Sequence, residues 1–204
     1  MKIDIKEVRR YLGMSKSDAL DSEIEACAKR LEAAASLRST HTRGEIIRRD
    51  ASIEICGIKM TGGAIAKHLE NCREACLFAA TLGIEADRLI YRLSLTDMSA
   101  SLITDACATA LLEQFADDEC SALGDNLTSR FSAGYGDLPL ELQPQFVAAL
   151  NAPKRIGVTV TDGLMLAPTK SITAVLGILN DNACQKTGCA ACENKNCDYR
   201  RENT

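Results

Sequence analysis

The sequence predicts an α+β fold, with a mainly antiparallel twisted sheet and flanking helices. Helical and strand-like segments alternate along the 204 residues without a regular βαβ period and without an internal repeat. Such an arrangement favours α+β over a doubly wound parallel sheet. A hydrophobic content of 46% is enough to bury one substantial core. We therefore expect one domain over residues 1–180 and a Cys-rich C-terminal tail over residues 181–204.

The helices are predicted from apolar side chains that recur at helical spacing. The first forty residues contain two such patterns, one through Ile5, Val8 and Leu12 and one from Ile24 to Ala34. Asp97 is a suitable N-cap for a long helix that reaches Cys120. The remaining helices are expected at residues 64–71, 84–95 and 140–150, with Pro153 ending the last of these.

Strands are predicted in three other segments. Short β-branched runs, broken by Asp50 and Gly57, fill residues 44–63 and end in a Gly pair. The segment "ACLFAATLG" at residues 75–83 is an unbroken apolar run, which is typical of a central, buried strand. Two or three further strands are expected in residues 155–178, interrupted at Asp162-Gly163 and at Pro168.

Charge and hydropathy exclude several classes of function. The 24 Lys and Arg residues are scattered and are outnumbered by 28 Asp and Glu residues, so no nucleic acid partner is expected. No apolar run is long enough to cross a membrane, and "MKIDIKEVRRYLGM" lacks the apolar region of a secretory signal, which predicts a cytoplasmic protein without membrane association. His41 and His68 lie in no recognisable acid–base setting, so both are expected to be ordinary surface or helix histidines and a hydrolase is disfavoured.

The ten cysteines fall into two groups. Six lie mostly among apolar residues, where a reduced cysteine fills core space. The other four crowd the C-terminus with the spacing Cys-x4-Cys-x2-Cys-x4-Cys, and these are Cys184, Cys189, Cys192 and Cys197. Thiolates at this spacing can bind zinc or an iron–sulfur cluster. The alternative is a set of free thiols in a tail.

Two features are candidates for ligand binding. In "RFSAGYGD", Arg130 can bind a carboxylate, Gly134 lets the backbone approach a ligand, and Tyr135 offers a flat face. The alternative is a simple turn beside a surface charge. Glu113 lies at the edge of the apolar stripe of the helix at residues 97–120, where a carboxylate reaches water, pairs with a cation or borders a cleft.

These residues resemble a known family. The segment "RFSAGYGD", preceded by "LLEQFAD" and followed by "LMLAPTKSITAVLG" and the Cys-rich tail, is similar to the activation domain of vitamin B12-dependent methionine synthase in its short free-standing form. The resemblance implies S-adenosylmethionine bound in a groove of an α+β fold. It also implies partners: a corrinoid-binding protein or methionine synthase module whose oxidised cobalamin is remethylated, and a flavodoxin- or ferredoxin-type electron donor.

The resemblance also assigns roles to individual residues. Arg130 would bind the methionine carboxylate, and the backbone around Ser132, Ala133 and Gly134 would lie along the adenosine. Tyr135 would lie against the ligand or face the corrin. Glu113 would bond the ligand's amino group, and no side-chain nucleophile or general base is required. The competing hypotheses are a binding scaffold without methyl transfer and an iron–sulfur or zinc redox protein.

Overall fold

The structure is a computed structural model that describes residues 1–14, 17–50, 52–124 and 126–179. The helices are α1 (Ile5–Tyr11), α2 (Asp21–Ala34), α3 (Gly63–His68), α4 (Ile84–Thr96), α5 (Met98–Leu123), α6 (Gln143–Ala149), which a 3-10 turn at Leu140–Leu142 precedes, and α7 (Ala152–Arg155). The strands are β1 (Arg38–Glu45), β2 (Ile47–Arg49), β3 (Ser52–Ile55), β4 (Ile58–Met60), β5 (Cys72–Thr81), β6 (Thr159–Val160), β7 (Leu166–Ala167) and β8 (Ser171–Leu179). All strand pairs are antiparallel. The predicted α+β class is confirmed.

The main sheet has the strand order β1-β5-β8. Its central strand β5 is the predicted apolar run, and successive side chains of β5 point to opposite faces. Phe78 and Ala80 enter one hydrophobic cluster, while Leu77 and Ala79 enter the other. Because both faces are covered, the strand is continuously apolar from Ala75 to Ala80 instead of alternating.

Helices α1, α2, α4 and α5 pack into the cluster on one face of the main sheet. The longest of them, α5, begins where predicted: the carboxylate of Asp97 accepts a hydrogen bond from the N–H of Ala100 at 3.0 Å. Its buried side includes Cys107 and Leu111. Within the described residues, no helix is both long and apolar enough to span a bilayer.

The chain that leaves α5 returns along the outer edge of β8. The N–H of Leu179 donates to the carbonyl of Asn126 at 2.8 Å, and the N–H of Thr128 donates to that of Gly177 at 2.9 Å. Phe131 and Val175 exchange both backbone hydrogen bonds, at 3.0 and 2.8 Å. The sequence analysis predicts no strand here, but residues 126–131 extend the sheet.

Two local predictions are wrong. The first forty residues are not only helical, because β1 begins at Arg38. The sequence of this edge strand, "RSTHTRGE", contains no Val, Ile or Leu. Its only buried side chain is that of Thr40, so the strand needs no apolar residues. Pro153 does not end the helix before it. That helix ends at Ala149, and Pro153 lies in the first turn of α7, where a missing N–H costs no hydrogen bond.

Candidate functional site

Glu113 and Asp117 lie one turn apart on the same side of α5, and Arg130 binds both. The guanidinium donates from Nη2 to Glu113 Oε2 at 2.5 Å and from Nη1 to Asp117 Oδ1 at 2.6 Å. The structure thus brings the two predicted residues Arg130 and Glu113 together from separate segments. Asp117 was not among the predicted site residues, although its spacing of four from Glu113 is the signal that places it on the same side.

Arg130 is largely covered, and its two partners are more accessible. Its side chain is 18% exposed, against 35% for Glu113 and 51% for Asp117. Burial alone would lower the pKa of Arg130, but Asp117 and Glu113 outweigh it and raise that pKa. The site therefore holds a permanent cation between two carboxylates that solvent, or a ligand, can reach.

The pairing with β8 determines the direction of the Arg130 side chain. The neighbouring Phe131 is buried in the cluster on the far face of the sheet. Because consecutive side chains of an extended segment point to opposite faces, Arg130 points to the face that α5 covers. The burial of Phe131 therefore fixes the direction of the Arg130 side chain.

The loop after Phe131 is a compact turn. The N–H of Tyr135 donates to the carbonyl of Ser132 at 3.1 Å, and the N–H of Gly134 donates to that of Leu138 at 2.9 Å. Gly134 has a φ of +83°, a left-handed conformation that favours glycine. In the described part of the chain, the amides of Ser132 and Ala133 have no hydrogen-bond partner. The amides of Ser132 and Ala133 are therefore candidates for hydrogen bonds to a ligand.

Helix α3 supports the loop at both ends. On one side, Nε2 of His68 lies 2.9 Å from the carbonyl of Ser129 and 2.8 Å from Oγ1 of Thr128. On the other side, the carboxylate of Asp137 accepts hydrogen bonds from the N–H groups of Gly63 at 2.6 Å and Ala64 at 3.1 Å. These contacts fix the loop on the helix and pre-organise the site.

His68 lies in a helix, as expected, but its hydrogen bonds to Ser129 and Thr128 make it more than an ordinary helix histidine. Its ring also packs against Phe131, with centroids 5.0 Å apart, and burial lowers its pKa even though the bond to Ser129 favours the charged form. The ring of Tyr135 in turn meets the edge of Phe131 at 5.2 Å and is 67% exposed. No sequence signal links His68 to this loop, because its partners lie some sixty residues downstream.

The predicted metal ligands Cys184, Cys189, Cys192 and Cys197 lie outside the described residues, so the metal or cluster site stays a prediction. Among the residues that are described, no group of three or more His, Cys, Asp or Glu side chains is placed to hold a metal. The other cysteines are free and buried, except the half-buried Cys56, which confirms their role as core filling. Burial raises the pKa of Cys107 to about 12.

Comparison with known proteins supports the fold. No protein-family model matches the chain, and no curated protein matches its sequence. Among solved structures, the chain is similar to the MetH reactivation domain bound to AdoHcy, with a TM-score of 0.62 and 15% identity. The similarity covers 91% of this chain and 79% of that one. At this identity the likeness is one of fold.

Proposed function

We propose that this chain binds S-adenosylmethionine and its product S-adenosylhomocysteine, and that it serves the reactivation of a cobalamin-dependent methyltransferase. The observation that carries the proposal is the meeting of Arg130 and Glu113 beside a glycine-containing loop. A structure with the same fold is a reactivation domain bound to AdoHcy. The sequence motifs around Arg130 and Glu113 point to the same family.

The ion pair is complementary to the amino acid end of such a ligand. The ligand's carboxylate accepts a hydrogen bond from Nη2 of Arg130, and its ammonium forms an ion pair with the carboxylate of Glu113. Asp117 continues to hold Nη1, so the guanidinium keeps its position. Every buried charge retains a partner during this exchange, which avoids the large cost of leaving a buried charge unpaired. A ligand without the amino acid end cannot make the exchange.

The loop supplies the second part of the proposed site. The amides of Ser132 and Ala133 can donate to the ligand, and the exposed ring of Tyr135 can lie against it or face the corrin. The ligand itself supplies the transferable methyl group. The chain contributes by holding that group in one orientation toward the corrinoid of a partner, which is catalysis by proximity and needs no general base.

Calorimetric titration with S-adenosylhomocysteine tests the site. Arg130→Met and Glu113→Gln should each weaken binding by roughly 1.5–3 kcal/mol, because each removes a hydrogen bond to a charged group. Neither should change the binding of 5′-methylthioadenosine, which lacks the amino acid end. Arg155→Met is the matched control, since Arg155 is exposed and contacts Thr40 on the opposite edge of the sheet. Unchanged affinity of the Arg130 and Glu113 variants would remove both residues from the site.

A second experiment tests the reaction. The protein is mixed with an oxidised corrinoid protein, a reductant and S-adenosylmethionine that carries a labelled methyl group. Label on cobalt that depends on Arg130 supports reactivation. Ligand binding without label on cobalt would leave the chain as a binding module and contradict the methyl-transfer part of the proposal.

A further inference from the structure

The stripe that holds Glu113 and Asp117 continues toward the start of α5. Asp105 and Thr109 precede Glu113 at intervals of four residues, so all four side chains lie along one side of the helix. A second cation binds this earlier part: Nζ of Lys170 lies 2.9 Å from Asp105 Oδ1 and 3.0 Å from Thr109 Oγ1. One side of α5 therefore carries two similar clusters, each built from a cation and helix oxygens.

Lys170 is held in place by its backbone. The carboxylate of Asp87 accepts hydrogen bonds from the N–H of Thr169 at 2.6 Å and from that of Lys170 at 3.3 Å. The carbonyl of Lys170 accepts from the N–H of Leu82 at 2.9 Å. The Lys170 side chain is 16% exposed and Asp105 is 51% exposed. As at Arg130, the cation is covered and the carboxylate is accessible.

The two clusters have the separation that one extended ligand requires. Asp105 and Glu113 are eight residues apart, which is about 12 Å along a helix. Residues 126–131 run antiparallel to β8 with Phe131 opposite Val175, so Ser171 and Lys170 lie beyond Phe131 in the direction in which this segment runs. A ligand whose amino acid end lies at Arg130 can therefore reach Lys170 with its nucleoside end. Between the clusters, the half-buried Ile172 faces the helices and offers an apolar contact.

We propose that Asp105, Thr109 and Lys170 form a second recognition cluster of the same site, which binds the ribose hydroxyls of the nucleoside end. This inference rests on the proposed function. A carboxylate accepts hydrogen bonds from a ribose diol, as acidic residues do in dinucleotide-binding folds. Lys170 holds Asp105 in position, and its ammonium has three N–H donors, of which the helix oxygens use two. The remaining donor can bond a ribose oxygen.

The test compares S-adenosylhomocysteine with its 2′-deoxyribose analogue by calorimetric titration. The wild-type chain should prefer the ribose ligand by about tenfold, the equilibrium ratio that one good hydrogen bond produces. Asp105→Asn should weaken binding of the ribose ligand and remove most of that preference. Glu113→Gln should weaken both ligands equally and keep the preference. Asp118→Asn, an exposed carboxylate of α5 outside the stripe, should change neither affinity.

The outcomes separate this inference from the proposed function. If the wild-type chain binds S-adenosylhomocysteine through Arg130 but Asp105→Asn keeps the full preference for ribose, only the second cluster is overturned. If the wild-type chain binds neither ligand, both proposals are overturned. A thermal melt of each variant shows whether it is folded. The variant Lys170→Met leaves Asp105 present but without its ion pair, and it should also reduce the preference for the ribose ligand.

Discussion

The two edges of the main sheet carry similar residue types but differ in how the charges are held. On the β8 edge, Arg130 and Lys170 are covered, and each contacts carboxylates of α5. On the β1 edge, Glu119 of the same helix accepts from the hydroxyl of Ser39, and the exposed Arg155 donates to Oγ1 of Thr40 at 3.2 Å. Within the part of the chain that the structure describes, only the β8 edge therefore holds its cations in ion pairs with this helix.

The β1 edge nevertheless has an open cleft, of about 480 Å³, lined by Phe78, Leu123 and the polar groups just named. Volume alone would make it a ligand site. Its two charged side chains, Glu119 and Arg155, each bond a hydroxyl of β1, and among the described residues they form no ion pair with each other that a zwitterion could exchange with. The proposed site therefore differs from the cleft at the β1 edge in its ion pairs.

The largest expected difference between the two edges is in the free energy of unfolding that is lost when a glycine is replaced by alanine. A Cβ at Gly177 of β8 would meet the side chain of Cys72 and lie 2.8 Å from Cδ2 of Leu69, both fully buried. Gly177→Ala should therefore lower the free energy of unfolding by about 3 kcal/mol, as overpacking of a core does. Urea denaturation measures this value.

The control lies on β1. A Cβ at Gly44 would meet the end of the Cys56 side chain at 2.7 Å, at a half-buried position on the edge strand, where the sulfur can move. Gly44→Ala should cost about 1 kcal/mol or less. Equal losses in the two variants would show that the β8 edge is not the more tightly packed of the two.

Sequence patterns predicted the helices and strands whose buried side chains recur at regular spacing in the sequence. The apolar run of β5, the stripe of α5 and the cap at Asp97 follow directly from such patterns, and so did the edge position of Glu113. Strand β1 was missed because its side chains are mostly exposed and polar, which leaves no apolar alternation to detect. Its pairing is formed by backbone hydrogen bonds to β5, which any residue with an N–H can make.

The site was predictable only in part for a similar reason. Arg130 and Gly134 form a motif that is visible in the sequence, but the partners of Arg130 depend on how α5 crosses the sheet. Lys170 and Asp105 are 65 positions apart, and His68 and Thr128 are 60 apart. Contacts over such separations are fixed by tertiary packing, and no local pattern records them.

The ion pairs of the β8 edge should contribute modestly to stability without ligand. Arg130→Met should lower the free energy of unfolding by about 1 kcal/mol, because Glu113 and Asp117 are accessible enough for water to replace much of the interaction. Arg155→Met on the β1 edge should change it by less than about 0.5 kcal/mol. Urea denaturation at low and high salt measures both, and the loss for Arg130→Met should shrink as salt screens the pairs. A larger loss for Arg155→Met would reverse the comparison.

The smallest expected effect is the pH dependence that His68 gives to the β8 edge. Burial lowers its pKa in the folded state below the ordinary value of about 6.5. The unfolded chain therefore binds a proton more readily, and the contribution of His68 to stability, complete above that pH, is lost as the pH falls below it. His68→Gln keeps an amide N–H for the carbonyl of Ser129 but does not titrate. Urea denaturation between about pH 5 and 8 should show a flatter profile for this variant than for the wild type. An equally steep decline in both would mean that other groups carry the acid sensitivity, and that the loop is not held by a neutral His68.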